Sequence, residues 1–131
     1  VRAVLLGASC GYVSGTLGSG TVNYCGSVNV VAAAITGTER IGINALLGAG
    51  KRPACKAFET VTLPATPTVL RPFATLSPLL ATSVLVPWVV KDELDGEFGL
   101  DEGGAISLAG TLGAGTSPLV QYGFLWEEID V

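Results

Sequence analysis

The sequence predicts an all-β fold: an antiparallel β-sandwich of jelly-roll or Greek-key type, with about eight strands, in one domain spanning 1–131. Three observations carry this expectation. First, Gly (18) and Pro (7) punctuate short β-branched segments throughout the chain, at the spacing of a sandwich or barrel. Second, Leu119–Ile129 alternates with period two. Val120, Tyr122, Phe124 and Trp126 fall on one face, and Leu119, Gln121, Gly123 and Leu125 on the other, which marks a core-facing strand. Third, Leu63–Pro78 holds Pro64, Pro67, Pro72 and Pro78. No helix or central strand tolerates that spacing, so a long extended crossover is expected there.

Taken in chain order, strands are expected near Arg2–Leu6 and Thr21–Cys25, on either side of a Gly-rich turn. The nearly unbroken apolar run Val28–Ile35 fits a central strand over Ser27–Thr36, covered on both faces, or a short helix; its β-branched residues and short length favour the strand. Further strands are expected at Arg40–Leu46, Ala54–Leu63, Ser83–Val90, Ala105–Ala109 and Leu119–Ile129. A short helix fits Leu76–Thr82, with Ser77 as cap and Pro78 at its first position. Two near-identical segments, Gly15–Thr21 and Gly110–Thr116, read as hairpin tips. Their flanks do not match, which excludes a repeat protein.

Composition limits function. The chain is 49% apolar and 14% charged, where soluble domains average about 25% charged. In a domain this small, the deficit predicts surface covered by a partner. A net charge of −4 argues against nucleic acid; the one basic cluster, Lys51, Arg52 and Lys56, reads as a solvated turn. The most apolar run, Leu79–Val90, is too short for a membrane span and is interrupted by Pro87. No signal-peptide pattern is present, and a chain that starts at Val1 without any Met predicts processing or trimming before that residue.

Catalytic and metal motifs fail on inspection. Gly7-Ala-Ser-Cys-Gly11 fits the nucleophile-elbow spacing, but a serine of that type needs a His base and the chain has no His. Gly48–Arg52 lacks two of the residues a phosphate-binding loop requires, having Ala45 and Arg52 where Gly and Ser or Thr belong. With three Cys, no CxxC and no His, no zinc site is expected. Cys10 and Cys25 flank the first Gly-rich turn, so either a disulfide between them or free buried thiols fits, with Cys55 left over. The acidic stretch Lys91–Glu97 followed by Asp101 and Glu102 reads first as a solvated connecting loop. Asp92, Asp95, Glu97 and Asp101 are the oxygens a Ca²⁺ site would draw on, although their spacing is not that of an EF-hand. A paired-carboxylate glycosidase would also need aromatic platforms, which are missing. No cofactor is expected. The expected core or interface anchors are Trp88, Tyr122, Phe124 and Trp126.

One region carries a resemblance. Gly96-Glu-Phe-Gly-Leu-Asp-Glu-Gly-Gly-Ala-Ile-Ser-Leu108, a Gly-rich tip, then Val120-Gln-Tyr-Gly-Phe-Leu-Trp-Glu-Glu-Ile129 resembles the closing strands of small jelly-roll virion proteins of the phage capsid decoration (cement) type. The resemblance implies a domain on the capsid surface, often a homotrimer, that clamps neighbouring copies of the major capsid protein. It implies no catalytic group, no nucleic acid and no membrane. Two alternatives stand beside it. One is an extracellular filament or pilus subunit, with Val1–Leu6 as a donated strand. The other is a calcium- or carbohydrate-binding β-sandwich module.

Overall fold

The computed structural model describes residues 1–16, 18–44, 50–76, 89–112 and 116–131. Nine strands occur among them: β1 (Arg2–Thr16), β2 (Gly20–Ser27), β3 (Thr36–Arg40), β4 (Ala57–Thr62), β5 (Thr68–Leu76), β6 (Val89–Glu93), β7 (Gly99–Leu100), β8 (Ala105–Leu112) and β9 (Thr116–Ile129). All pairings are antiparallel. Among the described residues no helix is long and apolar enough to cross a membrane.

The first sheet is built around β1. Strand β9 runs along one side of it, and β6 and β7 share the other. The second sheet has the order β5-β2-β8. Alternation along β1 and β2 turns Ala3, Leu5, Ala8, Cys10, Val22 and Tyr24 inward, all fully or almost fully buried. Between Leu5 and Ala8 the alternation slips by one, because Leu6 is an extra residue in the ladder with β9. Leu5, Ala8 and Leu94 meet Tyr24 across the sandwich, with Phe73, Phe98, Leu100, Ile106, Leu108 and Phe124 packed around them. Each large side chain withdrawn from water here contributes about 1.5–3 kcal/mol.

One register links the two sheets. In the first sheet Thr16 faces Thr116, and in the second Gly20 faces Leu112. The register is therefore the same on either side of residues 17 and 113–115, which lie outside the described residues. The segments Gly15–Thr21 and Gly110–Thr116 span these positions. They join strands of opposite sheets, β1 to β2 and β8 to β9, so the expectation of two hairpin tips is corrected. Sheet-switching corners need a local bend, and Gly15 supplies part of it with φ 85°.

Other expectations change as well. The Pro-rich stretch is not wholly a crossover, since Thr68–Leu76 is a strand. It is tolerated because β5 lies at the edge of its sheet, where Pro72 need not donate to a neighbour. Val28–Ile35 is no buried strand. Asn29 takes φ 57° directly after β2, a conformation Asn accepts more readily than most residues. Ala32–Ala34 then closes a 3₁₀ turn, and the strand begins only at Thr36. The strand expected at Arg40–Leu46 is displaced likewise: β3 ends at Arg40, 41–44 are irregular, and 45–46 lie outside the described residues. The expected helix at Leu76–Thr82, beyond Leu76, and the strand segment 83–88 lie outside the described residues.

The acidic stretch is also more ordered than a loop. Lys91, Asp92 and Glu93 belong to β6. Asp95 and Gly96 both have positive φ, 46° and 85°, as the two central residues of a type I′ turn require. Glu97 N donates to Leu94 O at 2.8 Å to close it. This turn docks on the irregular point of β1: Leu94 N donates to Leu6 O and Gly96 N to Leu5 O, both at 2.9 Å.

Candidate functional site

The four carboxylates expected as calcium ligands are not brought together. Asp101 accepts a two-pronged hydrogen bond from Arg2 at 2.7 and 3.1 Å, which holds its carboxyl below the ordinary value. Asp92 and Glu97 both bind Arg71, at 2.9 and 2.7 Å. Asp95 occupies the turn. No group of three potential metal ligands occurs among the described residues.

Arg71 instead organises a polar clamp between the sheets. It lies on β5 opposite Tyr24, while Asp92 lies on β6 of the other sheet. The Tyr24 hydroxyl donates to Asp92 Oδ2 at 3.0 Å. Burial, then this bond, pushes the Tyr24 hydroxyl above its ordinary range. Bonding to Glu97 above all raises Arg71. The guanidinium also lies 5.7 Å from the Phe98 ring centre, within cation–π range. Nothing in the local sequence announces this network, because its hydrogen-bonded partners are 21 or more residues apart.

Of the two alternatives for Cys10 and Cys25, a disulfide or free buried thiols, the structure has the free thiols, both buried. Strands β1 and β2 belong to different sheets, so the two thiols are not cross-strand neighbours. Cys10 faces Tyr122 and Val90, and Cys25 leans toward Asn23 O at 3.8 Å. Burial pushes the Cys10 thiol up to about 11.

The aromatic anchors divide. Phe124 packs on the core. Trp126, opposite Leu5, is half-buried beneath the loop after β3. A Cβ added at Gly42 would stand 2.9 Å from its ring. Glu128 fastens the same loop by accepting from Ala54 N at 2.9 Å and Cys55 N at 2.8 Å. Tyr122 is 40% exposed, so it is not a core anchor. Trp88 lies outside the described residues.

Ser9, of the elbow-like motif, sits in the middle of β1, not on a strand-to-helix turn. It borders a shallow depression of about 440 Å³ on the outer face of the first sheet, with Gly7, Lys91, Glu93, Gly123 and Leu125. Lys91, its opposite residue in the ladder, donates to Glu93 at 3.3 Å. The expected donor strand Val1–Leu6 is engaged at home, since Arg2 to Leu5 pair with β9. In the basic cluster, Lys56 pairs with Glu39 at 3.1 Å; Lys51 and Arg52 are exposed.

The feature that most resembles an interface is the excursion from 28 to 62. Its β3–β4 ribbon pairs with neither main sheet, and its charges largely satisfy one another through Arg40–Glu59 and Lys56–Glu39. Val28 and Ile43 are 81% and 83% exposed, and Val31 and Ile41 are also largely open to water. From Val28 to Thr38 the chain carries no charge. The sequence showed this apolar run, but its period could not separate a buried strand from an uncovered loop. No family model, curated protein or solved structure matches this chain.

Proposed function

We propose that this protein is a structural assembly subunit of the capsid decoration type, bound at the virion surface between major capsid subunits and to copies of itself. The observation that carries the reading is the apolar excursion with Val28, Val31, Ile41 and Ile43 exposed. Such a surface is unfavourable in water and favourable in a seam between subunits. The β1–β9 and β2–β8 pairings, which keep one register across the two sheets, support the jelly-roll form of the sandwich. Binding only the assembled particle stabilises it by mass action and needs no catalytic group.

The test is cosedimentation of the purified protein with capsids assembled from the major capsid protein encoded in the same genome. Saturable, stoichiometric binding is expected. An Ile41→Lys/Ile43→Lys variant, with an unchanged circular dichroism spectrum, should lose it. Absence of binding by the wild-type chain to those capsids would reject the reading.

A further inference from the structure

We infer that the free edge of β9 pairs antiparallel with β9 of a second copy, about a two-fold axis through Tyr122. Strand β9 is bonded to β1 along one side, from Ile129 to Thr116. From Leu119 to Trp126 its other side meets no strand and no backbone donor or acceptor among the described residues. Such an edge is a template for another strand unless something blocks it. Among the described residues the usual blocks are missing. Residues 119–126 contain no charge and no Pro; Pro118 and Glu127 stand just outside them. The ladder irregularities here place the extra residues, Leu6 and Val13, in β1, so β9 runs regularly across the whole segment.

The occupant follows from the side chains. Antiparallel partners share a face and lie opposite each other. Centring the pairing on Tyr122 sets Tyr122 against its own copy, Val120 against Phe124, and Leu119 against Leu125. Gln121 falls opposite Gly123, and Glu127 opposite Ser117, so no two like charges meet. Leu119 and Leu125 are 54% and 53% exposed in the single chain, and this register covers each with the other. Moving the centre to Gly123 sets Leu119 against Glu127, and moving it to Gln121 sets Trp126 against Thr116. A segment that is its own best partner, with no like charges opposed in this register, selects a second copy. The contact is isologous and closed, giving a dimer and not a fibre.

This pairing deepens the assembly reading and rests on it for its purpose. It is measured on the isolated chain, so capsid binding can fail while the dimer stands, and the reverse. About seven residue pairs make a small interface, so a dissociation constant on the order of 10 µM is expected. Sedimentation equilibrium up to about 200 µM reads it. Leu119→Lys and Leu125→Glu should each weaken the dimer by about tenfold or more, because each sets a charge against a leucine. The double variant Leu119→Lys/Leu125→Glu sets lysine against glutamate across the axis at both ends of the pairing, and should recover most of the affinity. Both positions are exposed, and circular dichroism confirms that each variant is folded. A wild-type chain that stays monomeric or forms a trimer overturns the inference. So do single variants that dimerise as well as wild type, or a double variant no better than the singles.

Discussion

The guanidinium of Arg71 lies 4.7 Å from the centre of the Tyr24 ring, and both residues donate to the same oxygen of Asp92, Oδ2. One carboxylate on the first sheet therefore ties together two residues of the second. Removing Arg71 leaves Asp92 and Glu97 facing each other without their shared cation, beside a buried phenol. Arg71→Ala is expected to cost about 2–3 kcal/mol in urea unfolding. Tyr24→Phe loses one hydrogen bond and should cost about 1 kcal/mol. The double variant should cost less than the sum; strict additivity would show that the clamp does not act as a unit.

Glu128 sets an acid limit. Burial works to raise its carboxyl, but the backbone donors Ala54 and Cys55, with Trp126 and the Cys55 thiol, hold it below the ordinary 4.5. A carboxyl depressed on folding stabilises fully above its unfolded value, and that contribution is lost as pH falls through the lower folded value. Stability should thus drop below pH 4.5, and Glu128→Gln should flatten this part of the profile. In a Trp88→Phe background, Trp126 emission should shift to the red over the same range as the loop lets go. Identical profiles with and without Glu128 would remove it from this role.

The thiols make a chemical prediction. Cys10 and Cys25 are buried and Cys55 is half-buried, and all three are pushed up chiefly by burial. At about pH 8 a disulfide reagent should label the folded protein slowly and at Cys55 alone, and all three Cys after unfolding. Peptide mass spectrometry of unreduced protein should show no Cys10–Cys25 link.

Gly42 is a tight spot. An added Cβ would stand 2.7 Å from Pro53 Cγ and 2.9 Å from the Trp126 ring. Gly42→Ala is expected to cost about 1–3 kcal/mol by overpacking. Trp126→Phe shortens the ring that blocks the methyl group, so combining it with Gly42→Ala should relieve part of that cost. Equal penalties in both backgrounds would place the strain elsewhere.

Much of the fold was legible because strand periodicity is local. Alternation from Leu119 onward and the β-branched segments near Thr21, Ala57 and Ala105 all became strands. Glycine misled twice. Gly7, Gly11 and Gly15 read as punctuation, yet all three lie inside β1. The Gly-rich echo read as two tips, whereas each copy joins strands of different sheets. For the site, residue type was visible but pairing was not. The acidic stretch displays its carboxylates, while Arg2 and Arg71, which bind three of them, come from distant strands. Long-range neutralisation of this kind leaves no trace in local spacing.

The β1–β9 ladder joins Arg2 to Ile129 and Thr16 to Thr116. As the chain is synthesised, β1 is made well before β9, its longest partner, which begins only at Thr116. Until then its apolar face and one line of backbone groups have no β9 to meet. Closing so large a loop before any contact rewards it is slow. The protein should accordingly fold late and on a timescale of about milliseconds to seconds. During that wait the exposed β1 is the segment most open to capture by a chaperone or by another nascent chain.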